Sequence, residues 1–440
     1  MIPVIGLLSS AYFSNTSIVI ISIILVLYCL YYWKYGFYVF KQKKSFTKGR
    51  HFIGKTLPAY PNGWFCLSRS EDLKIGQTKY VDLHGDNIAL FRGTNGNVYA
   101  LQAYCAHMGA NLGIDGVVTN EKCIRCPFHG WVFDGETGDC VIGNKGPKEG
   151  IIFEYTTDEN DKCTFEKKFN AKNEKIAIKK YLVKELNGFI LCWFHAEGEK
   201  PQYQPLDIAP YTNKLSYRGS SLNIVQAHVQ DIAENGGDLM HFLYIHSEII
   251  PYLVKGFWDA KWLRADDPEL KSKMFHKNKS FNEYRMKLLD TYITEENKKY
   301  IGIIHLDNQI SVLGSRSFPF FSLTGFQVGP GLVYLFLKSQ FFETILFQHV
   351  DTVKRYEQHV YHEIYTSSWN PYWFSALQLR LEAQQVLNDG VVWDNKKFGL
   401  SPMYCTTNDA DNTLIAWRKW YAQFYDGCQK AEKMKGNYDW

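Results

Sequence analysis

The sequence predicts an α+β protein in three parts: an N-terminal transmembrane helix, a small antiparallel β domain, and a larger domain with helices on a central antiparallel sheet. Three observations predict it. Residues 1–33 carry no charged side chain. Between Gly63 and His195, short apolar–polar alternations (VDLHG, NIALFRG, TNGNVYALQ, GFILCWFH) are punctuated by Gly, Asn and Asp, the pattern of short strands and turns. From about residue 206, strand-like runs alternate with longer segments of helical period.

The first element is the apolar run Ser17–Trp33, which approaches the roughly 20 apolar residues that a bilayer core requires of a helix, and its flanks make up the shortfall. Tyr31, Tyr32 and Trp33 suit the membrane–water interface. Lys34, Lys41, Lys43, Lys44, Lys48 and Arg50 all follow the run and none precedes it, so the positive-inside rule leaves the N-terminus in the lumen or outside and the bulk of the chain in the cytosol. A cleaved signal peptide would need a basic n-region, which is missing. The expected anchor is 1–40, with the helix at about 17–33. A basic linker, 41–60, ends near Pro58 and Pro61.

The small β domain spans 61–200. Within it, the charged stretch from about 150 to 180 reads as an extended loop. Pro201, Pro205 and Pro210 mark its end. The second domain covers 206–440. Helices are expected at Gln226–His246, Asn370–Leu387 and Leu414–Tyr425, the last with Leu414, Trp417, Trp420, Tyr421 and Phe424 at helical spacing. Strands are expected near Ser311–Val328, over GPGLVYLFLKSQ and over ETILFQHVDTV.

Composition excludes some functions. A net charge of +4 over 440 residues, with no concentrated basic face, gives no reason to expect nucleic-acid binding. Ten cysteines at irregular spacing read as reduced thiols and not as a disulfide framework.

Chemistry concentrates first in Cys105-Ala106-His107 and Cys126-Pro127-Phe128-His129. Two thiolates on one iron and two neutral imidazoles on the other is the ligand set of a Rieske [2Fe–2S] centre. A tetrahedral zinc site also uses two Cys and two His, and Cys123 adds a further candidate, but zinc sites usually pair like with like along the chain. The second concentration is Glu234-Asn235-Gly236-Gly237-Asp238, followed by His241 and His246. Asp238 and His241 are i, i+3 and share a helix face. His241 and His246, at i, i+5, do not align, so one metal on both requires the helix to end or bulge between them. Each glycine costs about 1 kcal/mol against alanine in a helix, which implies a packing demand there. Two His and one carboxylate with open positions opposite is the non-haem Fe(II) arrangement.

With the motifs C-x-H-x-G-x-x-L (Cys105 to Leu112), C-P-F-H-G-W (Cys126 to Trp131) and E-N-x-x-D-x-x-H-x-x-x-x-H (Glu234 to His246), the chain resembles the Rieske non-haem iron oxygenases from about residue 60 onward. The resemblance implies a helix-grip-like catalytic domain. It implies a cluster on Cys105, His107, Cys126 and His129, mononuclear Fe(II) on His241 and His246, and an electron relay through Asp238. The third iron ligand comes from an acid before a short apolar stretch, a Trp and a Lys. Asn388–Lys396 matches and points to Asp389, with Asp394 and Glu382 as rivals. The resemblance further implies O₂ as oxidant, electrons from NAD(P)H through a separate reductase, and a head-to-tail homotrimer in which Asp238 bridges subunits.

A narrower likeness is to Neverland-type cholesterol 7-desaturases, carried by His228–His241, the Gly329-Pro330-Gly331 strand, the tail from Leu414 and the single N-terminal anchor. It implies conversion of cholesterol to 7-dehydrocholesterol at a membrane, the endoplasmic reticulum being expected. Ketosteroid 9α-hydroxylases share parts of the pattern, so hydroxylation of another steroid is the alternative. Two departures, Asp351-Thr352-Val353 and the charged insertion near 150–180, leave substrate detail open.

Overall fold

The computed structural model describes residues 57–141, 149–157, 163–172, 176–246, 248–250, 254–275, 281–312, 318–396, 402–407 and 409–429. The expected anchor and most of the linker lie outside these residues. Among the described residues, no helix is long and apolar enough to cross a membrane.

The N-terminal half is built from strands β1 Gly63–Arg69, β2 Thr78–Leu83, β3 Asp86–Arg92, β4 Val98–Gln102, β5 Val117–Val118, β6 Cys123–Arg125, β7 Val132–Asp134, β8 Glu149–Thr157, β9 Cys163–Lys172, β10 Lys180–Leu186 and β11 Phe189–Phe194. One short helix, α1 Leu112–Asp115, is capped by the Asn111 side chain on the Gly113 N–H. Six strands form an antiparallel sheet in the order β1-β11-β10-β4-β3-β2, and β5-β6-β7 form a separate three-stranded sheet. The stretch expected to be a loop is a β8–β9 hairpin. Lys and Glu are interspersed among its apolar residues (Ile152, Phe153, Tyr155, Phe165, Phe169), so charge hid the strand pattern.

The second half contains α2 Ala209–Thr212, β12 Leu215–Val225, α3 Val229–Glu234, α4 His241–Tyr244, β13 Glu248–Ile250, β14 Val254–Arg264, α5 Leu270–Met274, α6 Asn282–Tyr292, β15 Ile301–Val312, β16 Phe318–Val328, β17 Leu332–Lys338, β18 Glu343–Lys354, β19 Glu357–Ser367, α7 Tyr372–Asn395 and α8 Asp409–Tyr421. Its strands form one eight-stranded antiparallel sheet, β12-β19-β18-β17-β16-β15-β14-β13. One face joins the N-terminal sheet, with Trp64, Phe189 and Leu191 sharing a core with Tyr334, Phe336 and Phe347. Arg69 of β1 also pairs with the buried Glu363 of β19 at 2.8 Å. The other face carries Val225, Val350 and Val360 against Val386 and Trp393 of α7.

Three helical boundaries differ from expectation. The single helix expected over 226–246 is two short helices with turns between. A Cβ on Gly236 would fall 2.7 Å from Ile304 Cδ1, and one on Gly237 would fall 2.5 Å from Trp417 Cγ. The paired glycines therefore let this segment lie directly on β15 and α8. Helix α7 continues past Leu387 to Asn395 because Val386, Asp389, Gly390 and Trp393 keep its buried face intact. Helix α8 begins at Asp409 and its last turn tightens into a 3₁₀ turn over Ala422–Tyr425.

Candidate metal centres and their relatives

Cys105 and His107 lie between β4 and α1, and Cys126 and His129 between β6 and β7. The two loops share one hydrogen-bond design. The Cys105 N–H donates to the Ala110 carbonyl (2.9 Å) and the Cys126 N–H to that of Trp131 (2.7 Å). The Gly109 N–H returns to the Cys105 carbonyl (2.9 Å) and the Gly130 N–H to that of Cys126 (3.2 Å). Gly109 and Gly130 have φ of +70° and +74°, the left-handed region in which a side chain is strained, so glycine is demanded by conformation, not space.

Both cysteines are buried, and the Cys105 thiol sits beside that of Cys126. Burial pushes the Cys105 thiol up to about 11, and a bound metal would draw the proton off. The two histidines are exposed, with ring centroids 4.7 Å apart. Trp131 stacks on His107 at 4.7 Å and 9°, fixing the ring plane. Cys123 lies on β6, its N–H bonded to Asn120 Oδ1 and its thiol beside Asn120 and Asp134. It is Cys126 that meets Cys105.

The second centre closes over a longer stretch of chain. His241 opens α4, that helix ends at Tyr244, and His246 lies just beyond it, the break that the i, i+5 spacing requires. Asp389 comes from α7. His246 Nε2 is 3.1 Å from Asp389 Oδ1, and the His241 and His246 rings are 5.0 Å apart at 82°. One ligand atom from each of the three lies within 4.8 Å of the others, and all three residues are buried. Among the described residues, no other His, Cys, Asp or Glu set closes to this single-ion spacing, the Cys105/His107/Cys126/His129 set included.

The surrounding residues orient the triad. The Asn235 amide donates to Asp389 Oδ2 at 2.8 Å. His241 Nδ1 bonds the Asp238 backbone carbonyl, which leaves Nε2 for a metal. The Asp238 carboxylate itself reaches the His241 backbone N–H at 3.3 Å and does not touch the imidazole. Burial holds His241 below its usual range, favouring the neutral ring that coordinates metal. Glu234 forms a two-pronged ion pair with Arg418 of α8 (2.6 and 2.9 Å), tying α3 to the C-terminal helix. Of the rivals to Asp389, Asp394 instead caps the Gln226 N–H at 3.2 Å, and Glu382 lies two turns earlier on α7. The holds of Asn235 on Asp389 and of Glu234 on Arg418 were not legible in the sequence. Both residues stand in the motif, but nothing local indicates partners so far along the chain.

The Rieske [2Fe–2S] domain family matches residues 63–153, and the 3-ketosteroid 9alpha-hydroxylase C-terminal domain matches residues 192–425. Cholesterol 7-desaturase nvd 1 of Ciona intestinalis is 31% identical over 88% of this chain and 73% of its own length. The chain belongs to the cholesterol 7-desaturase family of Rieske oxygenases. The family's cholesterol 7-desaturase of Caenorhabditis elegans is 29% identical over 89% of this chain and 82% of its own. A probable 3-ketosteroid-9-alpha-monooxygenase oxygenase component of Rhodococcus rhodochrous is 28% identical over a smaller part, 44% of this chain and 43% of its own. Among solved structures, dicamba monooxygenase bound to dicamba covers 86% of this chain and all of its own, with TM-score 0.56 at 14% identity, a likeness of fold. As a member of this family the chain is an oxidoreductase that uses a Rieske cluster and mononuclear iron. The buried facing thiols, the paired exposed imidazoles and the compact His–His–Asp set fit those two groups.

Proposed function

We propose that the chain desaturates a sterol, converting cholesterol to 7-dehydrocholesterol. The observation that carries this reading is the buried His241–His246–Asp389 triad in a chain whose relatives are cholesterol 7-desaturases over most of their length. When bound, the cluster on Cys105, His107, Cys126 and His129 would take up electrons from NAD(P)H through a separate reductase, and iron on the triad would supply O₂ activation. The chain's residues prepare that chemistry. The Asp238 carbonyl fixes the His241 tautomer, Asn235 holds one Asp389 oxygen so that the other faces His246, and burial excludes competing water. The α7 side of the sheet also carries a buried apolar cluster that includes Leu346, Ile364, Leu335, Phe342, Phe374 and Leu379.

The reading extends to assembly and place. The exposed His107 and His129 are rimmed by Met108 and Phe128, 64% and 61% exposed, a face suited to a second copy in a head-to-tail trimer where the Asp238 carboxylate receives the electron. The charge-free run 17–33 anchors the chain in the endoplasmic reticulum with the catalytic domain in the cytosol, consistent with an apolar substrate. Cells expressing the chain and fed labelled cholesterol should accumulate the Δ7 product by mass spectrometry. A hydroxylated sterol without Δ7 product would favour the second reading, a ketosteroid 9α-hydroxylase-like enzyme, to which the match over 192–425 points.

A further inference from the structure

Between α7 and the sheet, beside the triad, lies a group of polar side chains that metal binding does not use. Gln378, Glu382 and Gln385 follow one another at i, i+4 and i+7 along one side of α7. Gln378 accepts a hydrogen bond from Thr344 at 3.3 Å, and Glu382 Oε1 is 3.5 Å from His362 Nε2. His362 Nε2 is also 3.0 Å from Gln348 Oε1, so the N–H is on Nε2 and Nδ1 is a bare acceptor. Ser221 faces His362 across β12 and β19, and Asn223 stands two residues nearer Val225 on the same side.

This group is buried and incompletely paired. His362 and Asn223 are fully inaccessible, yet His362 Nδ1, Ser221 Oγ, Gln385 Oε1 and both Asn223 amide atoms have no hydrogen-bond partner. Buried polar atoms without partners are costly and mark the place of a missing ligand or water. Glu382 keeps 29% of its side-chain surface accessible while its Oε1 reaches inward to a wholly buried His362. On one side of Glu382 is the His241–His246–Asp389 triad, because Glu382 precedes Asp389 by two turns, about 10 Å along the helix axis. On the other side is the apolar cluster of Leu346, Ile364, Leu335 and Phe374.

We propose that Glu382, with His362 and Ser221 beside it, binds the hydroxyl group of the sterol and thereby determines which C–H bond reaches the iron. The proposal rests on the sterol reading above. A hydroxyl both donates and accepts, and a carboxyl group together with a bare imidazole nitrogen and a serine hydroxyl can serve both needs. A hydroxyl on the first ring bound at Glu382 places a C–H bond of the second ring toward the triad.

The test compares cholesterol with cholest-5-ene, the same skeleton without its hydroxyl, in the full-length holoprotein. Binding of each tritiated sterol and steady-state turnover are measured for wild type, Glu382→Gln and Ser221→Ala, with the cluster's visible absorbance and iron content as checks on folding. Wild type should favour cholesterol on the order of tenfold or more in kcat/KM, chiefly through KM. In both variants that preference should fall toward one while iron content is kept. Equal handling of the two sterols by wild type, or variants that lose activity on both in proportion, would overturn the assignment. Wild type that neither binds nor converts cholesterol would overturn the sterol reading itself.

Discussion

Replacing Gly237 by alanine distinguishes two opposed expectations. Helix propensity alone predicts that Gly237→Ala stabilises the chain by about 1 kcal/mol. The structure predicts the opposite sign. The new Cβ would lie 2.5 Å from Cγ and 2.7 Å from Cβ of Trp417. Comfortable carbon contacts are about 3.5–4.0 Å, so something must yield by about 1 Å. Trp417 is poorly placed to yield, being fully buried, bonded through its indole N–H to Gln327 at 2.9 Å and stacked on Tyr421 at 4.6 Å. Overpacking of this kind costs about 1–3 kcal/mol. If the Asp238–His246 segment moves instead, the histidines leave Asp389, and a 1 Å misplacement near a reacting centre costs on the order of 10²-fold in rate. Urea unfolding, iron per chain and sterol turnover should all fall, with the cluster's visible absorbance retained. Gly236→Ala should be milder, because its contact is the mobile end of Ile304. A Gly237→Ala protein more stable than wild type, with its iron complete, would refute the reasoning.

Other consequences can be measured directly. Asn235→Ala removes the hydrogen bond to Asp389 Oδ2 and should lower iron affinity by about 10–100-fold, read by metal titration of the purified protein. Cys126→Ser should abolish the cluster's visible absorbance and Cys123→Ser should leave it, because only Cys126 stands beside Cys105. Burial holds His362 neutral, lowering its pKa to about 3. Between about pH 3 and the ordinary 6.5 the folded chain then binds fewer protons than the unfolded one, so stability is full above 6.5 and is lost as pH falls. His362→Gln should flatten that acid slope, by up to about 1.4 kcal/mol per pH unit in urea unfolding series at pH 7 and pH 5.

The centres were legible to different depths because their ligands are distributed differently. Cys105, His107, Cys126 and His129 lie in two turns of one small domain, where residue type and spacing narrow the chemistry to a Rieske cluster or zinc before any resemblance is drawn. His241 and His246 were legible in the same way, including the helix end between them. Asp389 was reached through resemblance, since a carboxylate at Asn388-Asp389-Gly390 reads locally as the end of a helix. The structure runs α7 through it because the buried face continues to Trp393. The β8–β9 hairpin was missed because charged residues are interspersed among its apolar ones. The Glu382–His362 contact joins a helix to a strand, and no local pattern announces such a pair. Gly236 and Gly237 were correctly read as a packing demand, although what they pack against, Ile304 and Trp417, is a tertiary fact.

The distribution of ligands also sets an order of events. The four residues proposed to hold the cluster fall between residues 105 and 129, so a nascent chain holds all of them soon after its N-terminal half emerges, when domains begin to fold. The second site must wait. Asn235 and Asp389, which it orients, are 154 positions apart, and the carboxylate arrives on the last long helix. A metal there fastens the end of the chain to its middle, closing a long loop much as a crosslink would. Iron bound there would be a clasp put on last, and a protein that lost it would also lose a restraint on α7.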